Sequence, residues 1–526
     1  MLLERARQWP QKMAYTFIDD SGKPASITYQ QLAESAQSIA GNLCNQGVLD
    51  SSRALLIYPP GFDFLYALFG CFYSNIQAIP IALPKPKTQA LFTHFIQHAK
   101  PQWILTHSSL VERIQPFINS SNRNVHLVCT DTLDPLPSAI LPEPKSTIAI
   151  IQYTSGTTTL PKGVLVSFDN LTHNLNAIKN HFQLTANHVC YSWLPHYHDM
   201  GLIDGLLTPL FTNCLGILSS PHFVISNPAN WLQVITEFNV NHTGGPNFFF
   251  DLCVEKVSKE RLNKVDLRSL THLYVSAESV RKKTLQRFAL HFSEFGFRQE
   301  LFTPGYGLAE ATLMVSCKEL NAPLRTEIKA GNEYMSLGRP IPDMKVLIIN
   351  PETTKLTTGD EIGEICVSGP SLTPGYFEDE RLTADSRITI ENKTYFKTGD
   401  LGFLSEGELF VAGRMKDTLN VRGTNYQPED LEYIIAQCHP QLAAMPCAVV
   451  SIQQESEKIV VLQELSGSAS DIQRQSVREA IAQAVFMSFG LSVFDIKLLP
   501  PGSLQKTTSG KMKRLENRKL YEQGLW

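Results

Sequence analysis

Residues 153–163 read Tyr-Thr-Ser-Gly-Thr-Thr-Thr-Leu-Pro-Lys-Gly and directly follow a predicted strand, Ile148–Tyr153. Five serine and threonine hydroxyls, a glycine that permits close backbone approach and the cation of Lys162 offer donors and charge to a polyphosphate. The Walker pattern is absent, because Pro161 stands where its second glycine would be. A Ser/Thr-rich surface turn is the alternative, but it leaves Lys162, Gly163 and the flanking strands unexplained.

The composition is that of an ordinary globular protein. The chain has 526 residues, 43% of them apolar, and 46 Lys plus Arg against 50 Asp plus Glu, for a net charge of -4. These values exclude collagenous and disordered classes and give little support to a nucleic-acid partner. The N-terminus lacks the apolar stretch of a signal peptide, and the ten cysteines are scattered singly. We therefore expect a cytoplasmic protein with reduced thiols and no transmembrane segment.

The order of strand and helix patterns predicts an α/β fold. Apolar strands, such as Trp103–Thr106, alternate with helical patterns over 27–221. The alternation recurs over 238–330, with a helix predicted over Ser279–Phe292, which favours two doubly wound subdomains with a cleft between them.

The last third of the chain changes in pattern. Residues 345–412 change to short strands between turns, beginning with Lys345–Ile349, which predicts a small β-barrel or twisted sheet. After Gly413, strands and helices, with one helix predicted over Ser470–Phe489 and closed by Gly490, follow in an order typical of a small α+β domain. We place the boundary near 414–417.

Several further motifs follow the Thr/Ser loop and extend the pattern to about Lys513. They are Tyr306–Thr312, Gly363–Tyr376, Thr398–Asp400, Gly413–Asp417 and Lys506–Lys511. Their order and spacing resemble the adenylate-forming enzymes, the superfamily of acyl-CoA synthetases, luciferases and nonribosomal adenylation domains. The resemblance implies that the protein joins a carboxylic acid to the α-phosphate of ATP, releases pyrophosphate and uses ATP and Mg²⁺.

The resemblance also implies a role for each matching residue. The nucleotide would be bound by Thr154, Ser155, Gly156, Thr157, Thr158, Lys162, Ser276, Ala277, Glu278, Ser279, Tyr306, Gly307, Asp400 and Arg414. In this set Tyr306 would stack on adenine, and Asp400 would accept hydrogen bonds from the ribose with Arg414 beside it. Glu310 would ligate Mg²⁺, since a hard oxygen donor suits a hard cation. Taken alone, Glu310 fits a surface glutamate and Tyr306 a core residue.

Lys511 is the candidate catalytic residue. A lysine between the substrate carboxylate and the α-phosphate supplies positive charge where negative charge builds in the transition state. Taken alone, the basic run around it is typical of a solvated tail. In the superfamily the C-terminal domain rotates after adenylation, which implies a large domain over 1–413, a hinge over 414–417 with Lys416 at the pivot, and a mobile small domain over 418–526.

His198 matches the residue that guards the acyl pocket and contacts the substrate carboxylate. Its surroundings, Leu194–Gly201, are most similar to fatty-acyl-AMP ligases, which pass the acyl group to the phosphopantetheine thiol of an acyl carrier protein. The substrate would then be a fatty acid or another carboxylic acid. The His-x-His-Asp spacing also resembles zinc ligands, but a zinc site needs a third or fourth ligand and the sequence indicates none.

Three alternatives stay open. The connection over 313–337 is shorter than the insertion of fatty-acyl-AMP ligases, so free CoA could be the acceptor, as in a fatty-acid–CoA ligase. Asp199 matches the carboxylate that pairs with the substrate ammonium in amino-acid adenylation enzymes. A catalytically impaired scaffold relative is the third alternative. It is disfavoured because Thr154–Gly163, Glu310 and Lys511 are all present.

Overall fold

The computed structural model describes residues 1–47, 51–84, 89–121, 123–136, 146–154, 160–259, 262, 264–329, 331–421, 424–442, 445–453, 457–467, 470–507 and 510–526. The strands are β1 (Met13–Ile18), β2 (Pro24–Thr28), β3 (Arg53–Ile57), β4 (Gln77–Pro80), β5 (Trp103–Thr106), β6 (His126–Cys129), β7 (Ile148–Thr154), β8 (Lys162–Ser167), β9 (Val189–Ser192), β10 (Leu215–Ser219), β11 (His242–Gly245), β12 (His272–Val275), β13 (Phe302–Gly307), β14 (Met314–Cys317), β15 (Thr326–Lys329), β16 (Asn332–Met335), β17 (Arg339–Pro340), β18 (Lys345–Ile349), β19 (Gly363–Ser368), β20 (Arg387–Ile390), β21 (Lys393–Ser405), β22 (Glu408–Arg414), β23 (Leu419–Val421), β24 (Thr424–Tyr426), β25 (Cys447–Gln453), β26 (Glu457–Glu464) and β27 (Val493–Leu499).

The helices mostly connect these strands. They are α1 (Leu2–Gln8), α2 (Tyr29–Asn45), α3 (Phe62–Tyr73), α4 (Gln89–Ala99), α5 (Val111–Asn119), α6 (Phe168–His181), α7 (Thr208–Thr212), α8 (Pro221–Ser226), α9 (Ala229–Phe238), α10 (Asn247–Lys256), α11 (Lys282–Phe292), α12 (Glu380–Asp385), α13 (Pro428–Gln437), α14 (Asp471–Phe489) and α15 (Arg514–Glu522), with a π-helix over Met200–Leu207. None of the helices in the described ranges is both long enough and apolar enough to cross a bilayer.

The first large sheet has six strands in the order β6-β5-β3-β4-β7-β8, and only β8 runs antiparallel to its neighbour. Successive side chains of a strand point to opposite faces. Leu55 accordingly packs in the cluster that includes Ile96 of α4, and Leu56 packs in the cluster that includes Leu68 of α3. Helices therefore cover both faces, which confirms a doubly wound unit and explains why these strands are apolar throughout.

The second large sheet has nine strands in the order β17-β14-β13-β12-β11-β9-β10-β1-β2. Its six central strands, from β13 to β1, are parallel, and β14 and β2 are antiparallel to their neighbours. This order corrects the chain limits of the predicted subdomains. Residues 189–219, which we assigned to the first unit, contribute β9 and β10 to the second sheet, and β1, which precedes the assigned span, pairs with β10 there.

The structure decides between the two forms predicted for residues 345–412, a small β-barrel or a twisted sheet. Strands β18 to β22 form an antiparallel sheet in the order β18-β19-β21-β20, with β22 paired to the second half of the long strand β21. Strands β18, β20 and β22 each pair with a single strand of this sheet, so the predicted sheet is found and the closed barrel is not. Its strand β22 ends at Arg414, where the predicted hinge begins.

The small C-terminal domain has a three-stranded sheet, β25-β26-β27, covered by α13, α14 and α15. Its two apolar clusters draw only on residues from 419 onward, and the clusters of the large domain draw only on residues up to Val411. The predicted helix over Ser470–Phe489 is confirmed. Ser470 caps its first turn, and Gly490 ends it with a φ of +67° that favours glycine.

Candidate active site

A cavity of about 500 Å³ opens where the carboxyl ends of strands from both large sheets meet the small domain. This volume is within the range of small-molecule sites, and the carboxyl edge of parallel strands is the usual place for one. The predicted site residues that line it are Thr154, Lys162, His198, Ser276, Ala277, Tyr306, Gly307, Glu310, Arg414, Lys416 and Lys511. The tertiary structure thus brings together residues that are more than 350 positions apart in the chain.

The remaining predicted residues lie elsewhere. Ser155, Gly156, Thr157 and Thr158 are outside the described residues. Glu278 and Ser279 are not among the cavity-lining residues: Glu278 accepts a hydrogen bond from the Phe248 N–H, and the Ser279 hydroxyl donates to Glu429 of the small domain. Their role in nucleotide binding stays a prediction.

Asp400 lies directly behind Tyr306 and links it to Arg414. Its carboxylate accepts a hydrogen bond from Tyr306 Oη at 2.6 Å and forms an ion pair with Arg414 Nε at 2.8 Å. The Asp400 side chain is only 8% exposed. Burial, and then the negative charge of Asp400, raise the pKa of the Tyr306 hydroxyl. An ionised carboxylate has about four acceptor positions, so Asp400 keeps capacity for the two hydroxyls of a ribose.

Lys162 and Glu310 face each other across Tyr376. Strands β7 and β8 pair Thr154 with Lys162, so both ends of the predicted phosphate loop lie at this edge of the sheet. The Lys162 ammonium lies 5.6 Å from the centre of the Tyr376 ring, and the Tyr376 hydroxyl donates to Glu310 Oε1 at 2.9 Å. Tyr376 belongs to a motif that we recognised, but its role as a bridge depends on contacts that the motif does not reveal.

The electrostatics of this corner suit a polyanion. Burial, and then the neighbouring cation of Lys416, lower the pKa of Lys162. Burial raises the pKa of Glu310, although the Tyr376 hydrogen bond opposes the shift. The charges of Lys162 and Lys416 repel each other, and phosphate oxygens between them would stabilise both. A single buried carboxylate that shares a cation with substrate phosphates and water is a common arrangement for Mg²⁺, so Glu310 fits the predicted ligand.

The chain turns tightly between Tyr306 and Thr312. A Cβ on Gly307 would lie 1.9 Å from the carbonyl oxygen of Leu313, so only glycine fits there. Thr312 has a φ of +68°, and its hydroxyl donates to the Ser371 carbonyl at 2.8 Å. Ala277, at the end of the loop after β12, has a φ of +74°. Residues other than glycine are strained in the left-handed backbone conformation, and such residues are concentrated at ligand sites.

His198 and Asp199 lie at the start of the π-helix. The His198 Nδ1 is 2.6 Å from Asp199 Oδ1, and the same oxygen accepts the Met200 N–H at 2.7 Å. Burial alone would raise the pKa of Asp199, but His198 and then Lys511 hold it below its ordinary value. The Asp199 carboxylate is already bound by its own neighbours, which argues against a role as partner of a substrate ammonium. No group of three metal-ligating side chains occurs among the described residues, so the zinc interpretation gains no support.

The small domain contributes Lys511 to the cavity and contacts the large domain through α13. Arg281 donates to the Glu429 carbonyl at 2.9 Å, pairs with Asp430 at 3.2 Å and lies 4.1 Å above the ring of Tyr433. The charge of Lys511 affects both Asp199 and Glu278. In this arrangement the candidate catalytic lysine therefore lies beside the acid gate.

A cavity lined by cations from both domains fits an adenylate-forming, acid-activating ligase. The comparisons with known proteins agree with this class. The chain belongs to the AMP-binding enzyme family, whose model matches residues 2–377. A second model, described as Disco-interacting protein 2-like, AMP domain, matches residues 416–525.

Two of the similar proteins are named as ligases that act on fatty acids. Medium-chain-fatty-acid–[acyl-carrier-protein] ligase JamA of Moorena producens is 34% identical over an alignment that covers 100% of this chain and 95% of that protein. Long-chain-fatty-acid–AMP ligase FadD26 of Mycobacterium marinum is 32% identical and covers 98% and 95%. A structure from a study of fatty acyl-adenylate ligases of E. coli and L. pneumophila matches with a TM-score of 0.91 and 29% identity, over 100% of this chain and 98% of that one.

Proposed function

We propose that this protein activates a fatty acid with ATP and then transfers the acyl group to the phosphopantetheine thiol of an acyl carrier protein. One observation carries the proposal. A single cavity gathers Lys162, Arg414 and Lys511 from separate parts of the chain, next to the His198 gate. A cavity lined by several cations suits a reaction between two anions.

The first half-reaction joins the carboxylate to the nucleotide. A carboxylate oxygen attacks the α-phosphorus of ATP, a new P–O bond forms, the bond to the bridging oxygen of the β-phosphate breaks, and pyrophosphate leaves. Lys511 would hold the carboxylate against the α-phosphate and stabilise charge in the transition state. Lys162 would bind the departing phosphates. Mg²⁺ on Glu310 would supply charge neutralisation at the phosphate oxygens.

The second half-reaction moves the acyl group to sulfur. A thiolate attacks the acyl carbonyl carbon, a C–S bond forms, the bond to the phosphate oxygen breaks, and AMP leaves. The thiol needs access to a carbonyl that Lys511 covers, so we propose that the small domain rotates about 414–417 with Lys416 at the pivot. The polar contacts that Arg281 makes with α13 and the separate apolar clusters of the two domains support this movement, because weak polar interfaces favour domain motion.

The activation step is tested by exchange of labelled pyrophosphate into ATP. With wild-type protein, label should exchange only when a fatty acid is added. Lys511→Ala should lower the exchange rate at least about 100-fold, which is the effect of removing one group that stabilises the transition state. Lys519→Ala, on α15 outside the cavity, is the matched control and should retain the wild-type rate. Exchange that Lys511→Ala leaves undiminished, or no exchange with any acid, would contradict the proposal.

The acceptor is tested separately, because the relatives include both kinds of name. JamA is named as an acyl-carrier-protein ligase, and a relative that is 31% identical is named as a putative fatty-acid–CoA ligase. The connection over 313–337 contains β14 and the hairpin β15-β16, and because it is short, CoA stays open as the acceptor. Protein, ATP and fatty acid are incubated with CoA or with a phosphopantetheinylated carrier protein. With CoA we expect acyl-AMP to accumulate, and with the carrier protein we expect the acyl group to be loaded onto it. Rapid formation of acyl-CoA would refute the assignment of the carrier protein as acceptor.

A further inference from the structure

The inner end of the cavity is polar, although a fatty acid needs an apolar pocket. Asp204, Tyr274, Thr303 and Ser316 line it together with apolar residues such as Phe182. All four polar residues are buried. A plain aliphatic chain could hydrogen-bond with none of them, and buried polar groups without partners are costly. The composition of this end therefore needs an explanation beyond chain binding.

Asp204 is the only carboxylate among the buried residues at this end of the described cavity. It accepts a hydrogen bond from His242 Nε2, which lies 3.1 and 3.2 Å from the two carboxylate oxygens. The Asp204 side chain is 8% exposed and that of His242 is 2% exposed. His242 is itself enclosed by the rings of Phe182 at 4.7 Å and Tyr274 at 5.2 Å. The pair is fixed in position, and Asp204 faces the cavity with acceptor positions to spare.

Two hydroxyls line the cavity together with this carboxylate, on the neighbouring strands β12 and β13. Thr303 Oγ1 has no hydrogen-bond partner within the described parts of the chain. The Tyr274 hydroxyl interacts with Asp204 itself: burial, and then the charge of Asp204 and a side-chain hydrogen bond with it, raise the pKa of this hydroxyl. An unpartnered buried hydroxyl is exceptional in a native protein and is expected where a ligand completes the bond.

The position of Asp204 relative to the acid gate follows from the π-helix. Hydrogen bonds in a π-helix join residues five positions apart, so Asp204 lies one turn below Asp199 and near the same face. Met200, between them, also lines the cavity. Asp204 therefore lies about one turn of this helix from the His198–Asp199 pair and lines the same cavity.

We propose that the acid activated here carries a hydroxyl group on its chain, and that Asp204 and Tyr274 select it. This inference rests on the proposed function and specifies its substrate. The substrate hydroxyl donates to Asp204 and accepts from Tyr274 or Thr303, so one group completes both kinds of unfilled position. An ammonium has three donors and no acceptor, and it loses far more hydration on entering a buried pocket.

The test compares acids of one chain length in the pyrophosphate-exchange assay. The set contains the unsubstituted acid, isomers with the hydroxyl moved along the chain, and an amino analogue. A hydrogen bond to a charged group should raise kcat/KM about 10- to 100-fold for one hydroxyl isomer over the unsubstituted acid. Tyr274→Phe removes one hydroxyl without changing shape and should lower this ratio about fivefold or more. Asp204→Ala should bring the ratio close to one.

Controls separate a selective role from a structural one. Tyr29→Phe removes a buried tyrosine hydroxyl that has no partner in the described structure and lies outside the cavity, so it should leave the ratio unchanged. If Asp204→Ala fails to fold, Tyr274→Phe still decides. Exchange in which no hydroxyl isomer exceeds the unsubstituted acid, or in which the amino analogue is best, overturns the inference and leaves the proposed function intact. No exchange with any acid overturns both.

Discussion

The hydroxyl of Tyr306 offers a sharp test of the nucleotide site, because it binds a buried carboxylate that we assign to the ribose. Tyr306→Phe removes the 2.6 Å hydrogen bond to Asp400 and keeps the ring that would stack on adenine. Arg414 remains 2.8 Å from the other carboxylate oxygen, so Asp400 stays paired. The substitution therefore changes the orientation of Asp400 without leaving a stranded charge.

The expected magnitude follows from these contacts. A hydrogen bond to a charged partner contributes about 1.5–3 kcal/mol, and the remaining Arg414 pair places the loss near the lower end, at about 1.5–2 kcal/mol. The entropy of unfolding is about 2.1 cal/mol/K per residue, so each kcal/mol lowers Tm by about 1.2 °C in a domain of about 410 residues, and Tm should fall by about 2 °C. A loosened Asp400 should raise the KM for ATP about tenfold, which is about 1.4 kcal/mol, and change kcat much less.

The assays are thermal unfolding and pyrophosphate exchange at varied ATP. Tyr191→Phe is a matched control, because its hydroxyl is also buried but pairs with the neutral Ser219 hydroxyl at 2.8 Å, outside the cavity. It should lose about 0.5–1.5 kcal/mol of stability and keep the wild-type KM for ATP. If Tyr306→Phe lowers Tm but leaves this KM unchanged, the assignment of Asp400 to the nucleotide is wrong. If neither quantity changes, the hydrogen bond itself is refuted.

Three further substitutions test other parts of the structure. Arg281→Ala breaks the cross-domain pair with Asp430. A partly buried ion pair with ring stacking is worth about 1–1.4 kcal/mol, so cleavage by a protease within 414–417 should become up to about tenfold faster. Arg268→Ala, within the large domain, should leave the cleavage rate unchanged. Glu310→Gln should raise the Mg²⁺ concentration needed for half-maximal exchange about tenfold, and an unchanged requirement would rule out Glu310 as ligand. Burial lowers the pKa of His196 to about 4, so the unfolded chain takes up a proton first as the pH falls below 6.5. The free energy of unfolding should thus drop by about 3 kcal/mol toward pH 4, and His196→Phe should remove this part of the pH dependence measured by urea unfolding.

Local patterns predicted the elements well. Strands Trp103–Thr106 and Lys345–Ile349 have the predicted bounds, and the helix that ends at Gly490 has its predicted caps. These features depend on side-chain alternation and on hydrogen bonds within a few residues, which a sequence displays directly. The helix predicted from Ser279 begins only at Lys282, because the Ser279 side chain instead binds the small domain.

Local sequence patterns did not predict which of the two large sheets each strand joins. Strands β1, β9 and β10 are as apolar as those of the first sheet, yet they lie in the second. An apolar strand indicates that both its faces are buried, but it does not specify which neighbour it pairs with. The same limit explains the open sheet over β18 to β22, where the alternation of short strands also suits a closed barrel.

The sequence by itself determined the α/β class, the division near 414–417 and, through motif resemblance, the residues that gather around the cavity. Only the tertiary structure decided their partners. Tyr306 binds Asp400 from 94 positions away, and His242 binds Asp204 from 38. Motifs record residue types at short spacing, whereas burial and hydrogen-bond pairing depend on which strands and helices meet in space. The polar end of the acyl cavity follows from the second kind of information alone.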